Sequence, residues 1–157
     1  MLTVEIPGYG LLALENLVLD LNGTLCQDGE VLAGVAEAVE ALAPALRIVV
    51  VTADTHGTAD ELMASLAVDH VHIIDRGREA EGKLDLVDEL GGDTVVAIGN
   101  GANDALMLRD AALGIAVIAG EGAAAAAVQA ADVVVRSIGD ALGLLLEPRR
   151  LIATLRH

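Results

Sequence analysis

The chain has 157 residues, which fits one domain of the usual ~100–200 residues. With 54% hydrophobic and 1% aromatic residues it can build a substantial aliphatic core, which excludes intrinsic disorder and a disulfide-dependent miniprotein and leaves no aromatic platform for a ligand. A formal net charge of −15 repels phosphate backbones and anionic lipid alike, so nucleic acid and membrane surfaces are not expected partners.

Residues 3–15, with Pro7, Gly8 and Gly10 at their centre, read as a small N-terminal β-hairpin. Beyond it, short β-branched or Leu-rich runs alternate with Ala/Leu/Glu stretches of helical length. Strands are predicted at Leu17–Asp20, Ile48–Val51, Val71–Ile74, Val95–Ile98, Ile115–Ile118 and Val133–Val135. Helices are predicted at Val35–Ala43, Ala59–Leu66, Glu79–Leu90, Asn103–Arg109, Ala123–Ala130 and Ile138–Leu146, the last stopping near Pro148. This alternation predicts an α/β fold, a Rossmann-like parallel sheet with helices on both faces, formed by residues 1–157 as a single domain. Charged residues or Gln interrupt every apolar run before it is long enough to span a bilayer. A lone cysteine, Cys26, and an N-terminus without a signal-peptide profile point to the cytoplasm.

Ligands of such sheets sit beyond the carboxyl ends of the strands, where strand order reverses. Four polar segments fall there. Asp20-Leu21-Asn22-Gly23-Thr24 ends the first core strand on a carboxylate, a pattern that a plain turn shares. Thr52-Ala53-Asp54 offers a hydroxyl and amides, as a local cap also would. Lys83 is the only lysine in a chain that otherwise uses arginine, and a compact ammonium suits a phosphate. In Gly99-Asn100-Gly101-Ala102-Asn103-Asp104, glycines let backbone approach a ligand ahead of a helix start that Asn103 could equally well cap.

In their order, and in successive spacings of 32 residues from Asp20 to Thr52, 31 from Thr52 to Lys83 and 17 from Lys83 to Asn100, these segments resemble the haloacid dehalogenase superfamily across roughly Leu17 to Val135. Asp20-x-x-Gly23-Thr24 with Gly99-x-Gly101-x-Asn103-Asp104 is most similar to phosphatases of the phosphoserine phosphatase type and to the phosphorylation domain of P-type ATPases. The small size is similar to that of soluble P-type ATPase-like phosphatases. The resemblance implies Mg²⁺-dependent phosphoryl transfer to Asp20 as an aspartyl phosphate. It implies metal ligands at the Asp20 carboxylate, the Asn22 backbone carbonyl and the Asn100 side chain, with Asp104 acting directly or through water. Thr52, the Ala53 amide, Lys83 and Asn103 would hold phosphoryl oxygens, and Lys83 would also pair with Asp20.

Two positions depart from that pattern. Asn22 stands where a general acid/base Asp is usual, and an amide neither donates nor takes up the proton that the reaction moves. Asn100 replaces a metal-binding Asp, which removes one anionic ligand. The expectation is a low-activity phosphohydrolase on a small phosphorylated substrate or phosphoprotein; the competing reading is an attenuated phosphate-binding or regulatory module. The family's cap insertions have no room here. Only a short flap around Gln27-Asp28-Gly29-Glu30 follows the first motif, which leaves an open site. The hairpin and the Leu144–Leu155 tail read equally as core packing or as contacts of a homo-oligomer. His70 and His72 read as strand residues without metal partners, His56 as a candidate substrate contact, and Cys26 as a partly exposed thiol near the flap without a nucleophile's setting.

Overall fold

A computed structural model describes residues 1–53, 59, 64 and 66–157. Strands β1 (Leu2–Ile6) and β2 (Gly10–Leu14) form the N-terminal antiparallel hairpin, with Leu2 opposite Leu14 and Ile6 opposite Gly10. Strands β3 (Asn16–Asp20), β6 (Arg47–Thr52), β7 (His70–Ile73), β8 (Val95–Gly99), β9 (Leu113–Val117) and β10 (Val133–Val135) form a six-stranded parallel sheet in the order β10-β9-β8-β3-β6-β7. The two-residue strands β4 (Cys26–Gln27) and β5 (Glu30–Val31) make the expected flap hairpin. No cap separates them from helix α1 (Val35–Leu42).

The sheet is apolar on both faces because helices cover both. Leu17, Leu19, Ile48, Val50, Val96 and Ile98 point into one core, with α1 and α5 (Ile138–Leu146) packed over it. Val18, Val49, Val51, Val95 and Ala97 point into the other, beneath α2 (Glu79–Leu90), α3 (Ala105–Asp110) and α4 (Ala125–Ala130). Alternate residues of each strand serve alternate cores, as the period-two pleat requires.

The last helix, α6 (Pro148–Leu155), lies where the sequence predicts only a stop. Proline lacks the N–H that a first helical turn leaves unpaired, so Pro148 ends α5 and opens α6. Buried Leu151 and contacts with β1 fold α6 back onto the hairpin, whose Val4, Ile6, Leu12 and Leu14 belong to the main core. The hairpin and the tail thus bury Val4, Ile6, Leu12, Leu14, Leu145 and Leu151 within the chain, while Leu11 and Leu146 stay exposed. The predicted third strand is one residue too late, and the helix predicted at Asn103 begins with a 3₁₀ turn over Ala102–Asp104 before α3. The predicted helix at 59–66 falls mostly outside the described residues. No helix among the described residues is long and apolar enough to cross a membrane.

Candidate active site

Sheet order reverses between β3 and β8: the chain leaves β3 toward β6 on one side and returns to β8 on the other. The loops after these two strands must diverge there, leaving a crevice at their carboxyl ends. A cavity of about 480 Å³ occupies it, lined by Asp20, Asn22, Thr52, Ala53, Lys83, Asn100 and Asn103 together with Arg76, Glu79, Gly101 and Glu121. Seven of the eight predicted site residues line this one space; Asp104 lies beneath it, fully buried.

Lys83 reaches the site because it shares the inward face of α2 with Leu86 and Val87, three and four residues on. Its Nζ lies 2.7 Å from Asp20 Oδ1 and 2.5 Å from Asp104 Oδ1, and it donates a longer bond of 3.4 Å to Asn103 Oδ1. The side chains of Lys83, Asp20 and Asp104 are 3%, 10% and 0% exposed, so water barely screens these charges. Burial pushes the Asp20 carboxyl up to about 6, Asp104 adds to the rise, and Lys83 and Thr24 oppose it. Burial alone would lower the Lys83 ammonium, but Asp20 and Asp104 outweigh it and raise its pKa.

The loop after β8 is built around Asp104. Its Oδ2 accepts the backbone N–H groups of Asn100 at 2.9 Å and Gly101 at 2.7 Å, while Oδ1 holds Lys83. Both oxygens of Asp104 are therefore engaged within the protein, which makes it the residue that positions Lys83 and the Asn100 loop. Gly99 permits this: a Cβ there would come within 2.5 Å of Asp104 Cγ. Thr24, wholly buried, ties the two loops together, its hydroxyl lying 3.2 Å from both Asp20 Oδ2 and Asn100 Oδ1. The single hydroxyl proton is shared between the carboxylate and the amide oxygen. Asn100 Nδ2 donates to Gly122 O at 3.2 Å, and the Ala124 N–H donates to Asn100 O at 2.8 Å, which draws the loop after β9 to the same rim.

Gly23 sits at φ +79, where only glycine is comfortable, and a Cβ on it would lie 2.8 Å from both Asn100 Nδ2 and Glu121 Oε2. The first motif's glycine thus shapes the turn and also keeps space open between Asp20's loop and the Asn100 side. The donors around that space are carboxylate and amide oxygens, the chemistry that a hard cation such as Mg²⁺ takes. Asp20, Asn100 and the loop carbonyl at Asn22 fit such an ion.

Thr24, Arg76, Glu79 and Glu121 had no site role from the sequence. Glu121 lies in Gly120-Glu121-Gly122, which the sequence presents as an ordinary connection; its place after the neighbouring strand β9 is the only signal it carries. Cys26 is buried rather than partly exposed, and burial and Asp20 raise its thiol pKa. His70 and His72 pack edge to face on β7 at 6.2 Å between ring centres, and no His/Cys/Asp/Glu group able to hold a metal by itself occurs among the described residues. Asp54 and His56 lie outside the described residues.

A family model of haloacid dehalogenase-like hydrolases matches residues 24–112. The chain belongs to this family. The matched span holds Thr24, Lys83, Asn100 and Asp104, and Asp20 lies just before it. An uncharacterised protein of Methanocaldococcus jannaschii is 46% identical over 84 residues, 51% of this chain and 90% of that protein. Copper-transporting ATPase 1 of Rhizobium meliloti is 38% identical over 103 residues, covering 63% of this chain but only 11% of the transporter. Among solved structures, 3-deoxy-D-manno-octulosonate 8-phosphate phosphatase of Moraxella catarrhalis, in complex with magnesium and phosphate, is similar with a TM-score of 0.73, 17% identity and coverage of 92% of this chain and 95% of that one. A phosphoserine phosphatase is similar with a TM-score of 0.69 and 14% identity over 84% of this chain and 99% of that one. At these identities the structures establish the shared fold.

Proposed function

We propose that this haloacid dehalogenase-like hydrolase is a Mg²⁺-dependent phosphohydrolase that works through an aspartyl phosphate on Asp20. The observation that carries the reading is the buried Lys83 ammonium held 2.7 Å from Asp20 at the switch point of the sheet. A carboxylate at that position is screened from an incoming phosphate dianion by the fixed cation beside it. Mg²⁺, when bound, neutralises charge on the phosphoryl oxygens. Its holders would be Asp20, the Asn22 backbone carbonyl and Asn100; Asp104 would act one layer back, through Lys83 and the two amides it accepts.

In the first step an Asp20 carboxylate oxygen bonds to phosphorus as the bond to the leaving oxygen breaks. Thr52, the Ala53 amide, Lys83 and Asn103 hold the phosphoryl oxygens through it. In the second step water attacks the same phosphorus, Asp20 leaves as carboxylate, and inorganic phosphate departs. The leaving oxygen gains a proton and the attacking water loses one, and Asn22 can do neither. General acid–base help is worth roughly 10²–10⁴ in rate, so turnover is slow and favours substrates whose leaving group needs no proton, such as acyl phosphates. No cap covers the rim among the described residues, which suits a small phosphorylated substrate or a phosphorylated side chain on another protein.

The test is phosphate release from acetyl phosphate and p-nitrophenyl phosphate, with and without Mg²⁺, for the natural chain and Asp20→Asn. Release that needs both Asp20 and Mg²⁺ supports the reading. Phosphate binding with no Asp20-dependent release or labelling supports the alternative, a regulatory module on the same fold, which the amides at Asn22 and Asn100 favour.

A further inference from the structure

Glu121 stands on the loop after β9 and lines the same cavity as Asp20, Asn22 and Asn100. The residue is exposed, yet its carboxylate leans over the first motif, since its Oε2 and Asn100 Nδ2 each lie 2.8 Å from the point where a Cβ on Gly23 would stand. That loop is anchored to Asn100 by the bonds to Gly122 O and from the Ala124 N–H, so Glu121 is carried to the rim by the residue whose charge is missing.

Of the other carboxylates, Asp104 is wholly buried and off the cavity lining, and Glu79 is held by the backbone. Asp104 spends both oxygens on Lys83 and on backbone N–H groups. Glu79 Oε2 accepts the Gly77 N–H at 3.0 Å. With Lys83 offsetting one of the two buried carboxylates, the floor of the site presents a single net negative charge to a divalent cation. Affinity of oxygen sites for such ions is tuned by the number of charged ligands. We infer that Glu121 supplies the anionic oxygen that Asn100 lacks, and that Asp20, Asn100 and Glu121 together are the side chains facing the cation. This rests on the proposed reading of the cavity as a Mg²⁺ site. It adds a third loop to a site that the sequence pattern builds from the loops after β3 and β8.

The experiment measures Mn²⁺ binding by electron paramagnetic resonance, with Mg²⁺ as competitor, on Glu121→Gln, Asp20→Asn, Glu37→Gln and the double variant Glu121→Gln/Asn100→Asp. Glu37 is exposed on α1, away from the cavity lining, and controls for net charge. Glu121→Gln is expected to weaken Mn²⁺ binding roughly 10–100-fold, the loss typical when a group supporting a metal site is removed. Adding Asn100→Asp restores it, and Glu37→Gln leaves it unchanged. Glu121→Gln binding like the natural chain while Asp20→Asn binds weakly overturns the role of Glu121 and leaves the Mg²⁺ site standing. Equal weakening by Glu121→Gln and Glu37→Gln, or no recovery on adding Asn100→Asp, also overturns it. Undiminished binding to Asp20→Asn overturns the underlying reading instead.

Discussion

Replacing Lys83 with Met keeps the length and apolar stem of the side chain and removes its charge. The consequence follows from burial. Two carboxylates, one wholly buried and the other nearly so, lose the ammonium that lies 2.7 and 2.5 Å from them. Removing one partner of a buried ion pair costs about 3–5 kcal/mol, because the remaining charge is left without compensation. For a domain of this size each kcal/mol moves the melting temperature by about 2–4 °C, so Lys83→Met is expected to melt roughly 6–20 °C lower at pH 7. Urea unfolding followed by circular dichroism gives the free energy directly. Two signatures separate this cause from general damage to α2. The deficit shrinks as pH falls through about 6, where Asp20 takes up a proton. The double variant Lys83→Met/Asp104→Asn recovers part of the loss, with a coupling of about 0.5–3 kcal/mol, since the amide oxygen it introduces can still accept the backbone N–H groups that Asp104 holds. A loss under about 1 kcal/mol, the range of an exposed pair, or strict additivity with Asp104→Asn, would show that the buried ion pairs do not hold the site.

Three further outcomes follow from the same geometry. Asn22→Asp restores a group able to move protons at the cavity and is expected to raise kcat on p-nitrophenyl phosphate by roughly 10²-fold or more with little change in KM; an unchanged kcat contradicts the role given to that position. Because the folded-state pKa of Asp20 is raised to about 6 from 3.8, the folded chain holds its proton more tightly than the unfolded one, so its contribution to stability is full below 3.8 and fades as pH rises to about 6. Asp20→Asn in metal-free protein should therefore gain on the natural chain across that window, by at most about 3 kcal/mol at its upper end, and parallel pH profiles would contradict it. Thr24→Val leaves Asp20 Oδ2 and Asn100 Oδ1 without their shared donor and is expected to destabilise by about 1–3 kcal/mol in urea unfolding; a neutral variant would show that the bridge carries nothing.

Much of this architecture is legible in the residues. The run from Leu17 to Leu19 is apolar without a break, as a strand covered on both faces must be, and α2 matches its predicted span because Glu79 to Leu90 carries a helical period ending at Gly91. What the sequence conceals is long-range. Lys83 meets Asp20 across 63 residues and Asp104 across 21, so its burial is a property of the closed sheet and not of the exposed-looking helix on which it sits. The family pattern sets Asp104 toward the metal, directly or through water, and only the folded loop shows both its oxygens in use on Lys83 and on backbone N–H groups. Glu121 and α6 went unread for a local reason: two glycines flank the first and a proline opens the second, and such residues signal breaks before they signal sites or starts.

Mass spectrometry after acid quench shows whether Asp20 carries the phosphoryl group. Incubated with acetyl phosphate and Mg²⁺, the chain is predicted to gain one phosphoryl mass, mapped to the peptide containing Asp20, labile to hydroxylamine and absent from Asp20→Asn. A label on any other residue, or an Asp20→Asn protein that labels as well as the natural chain, would contradict the account.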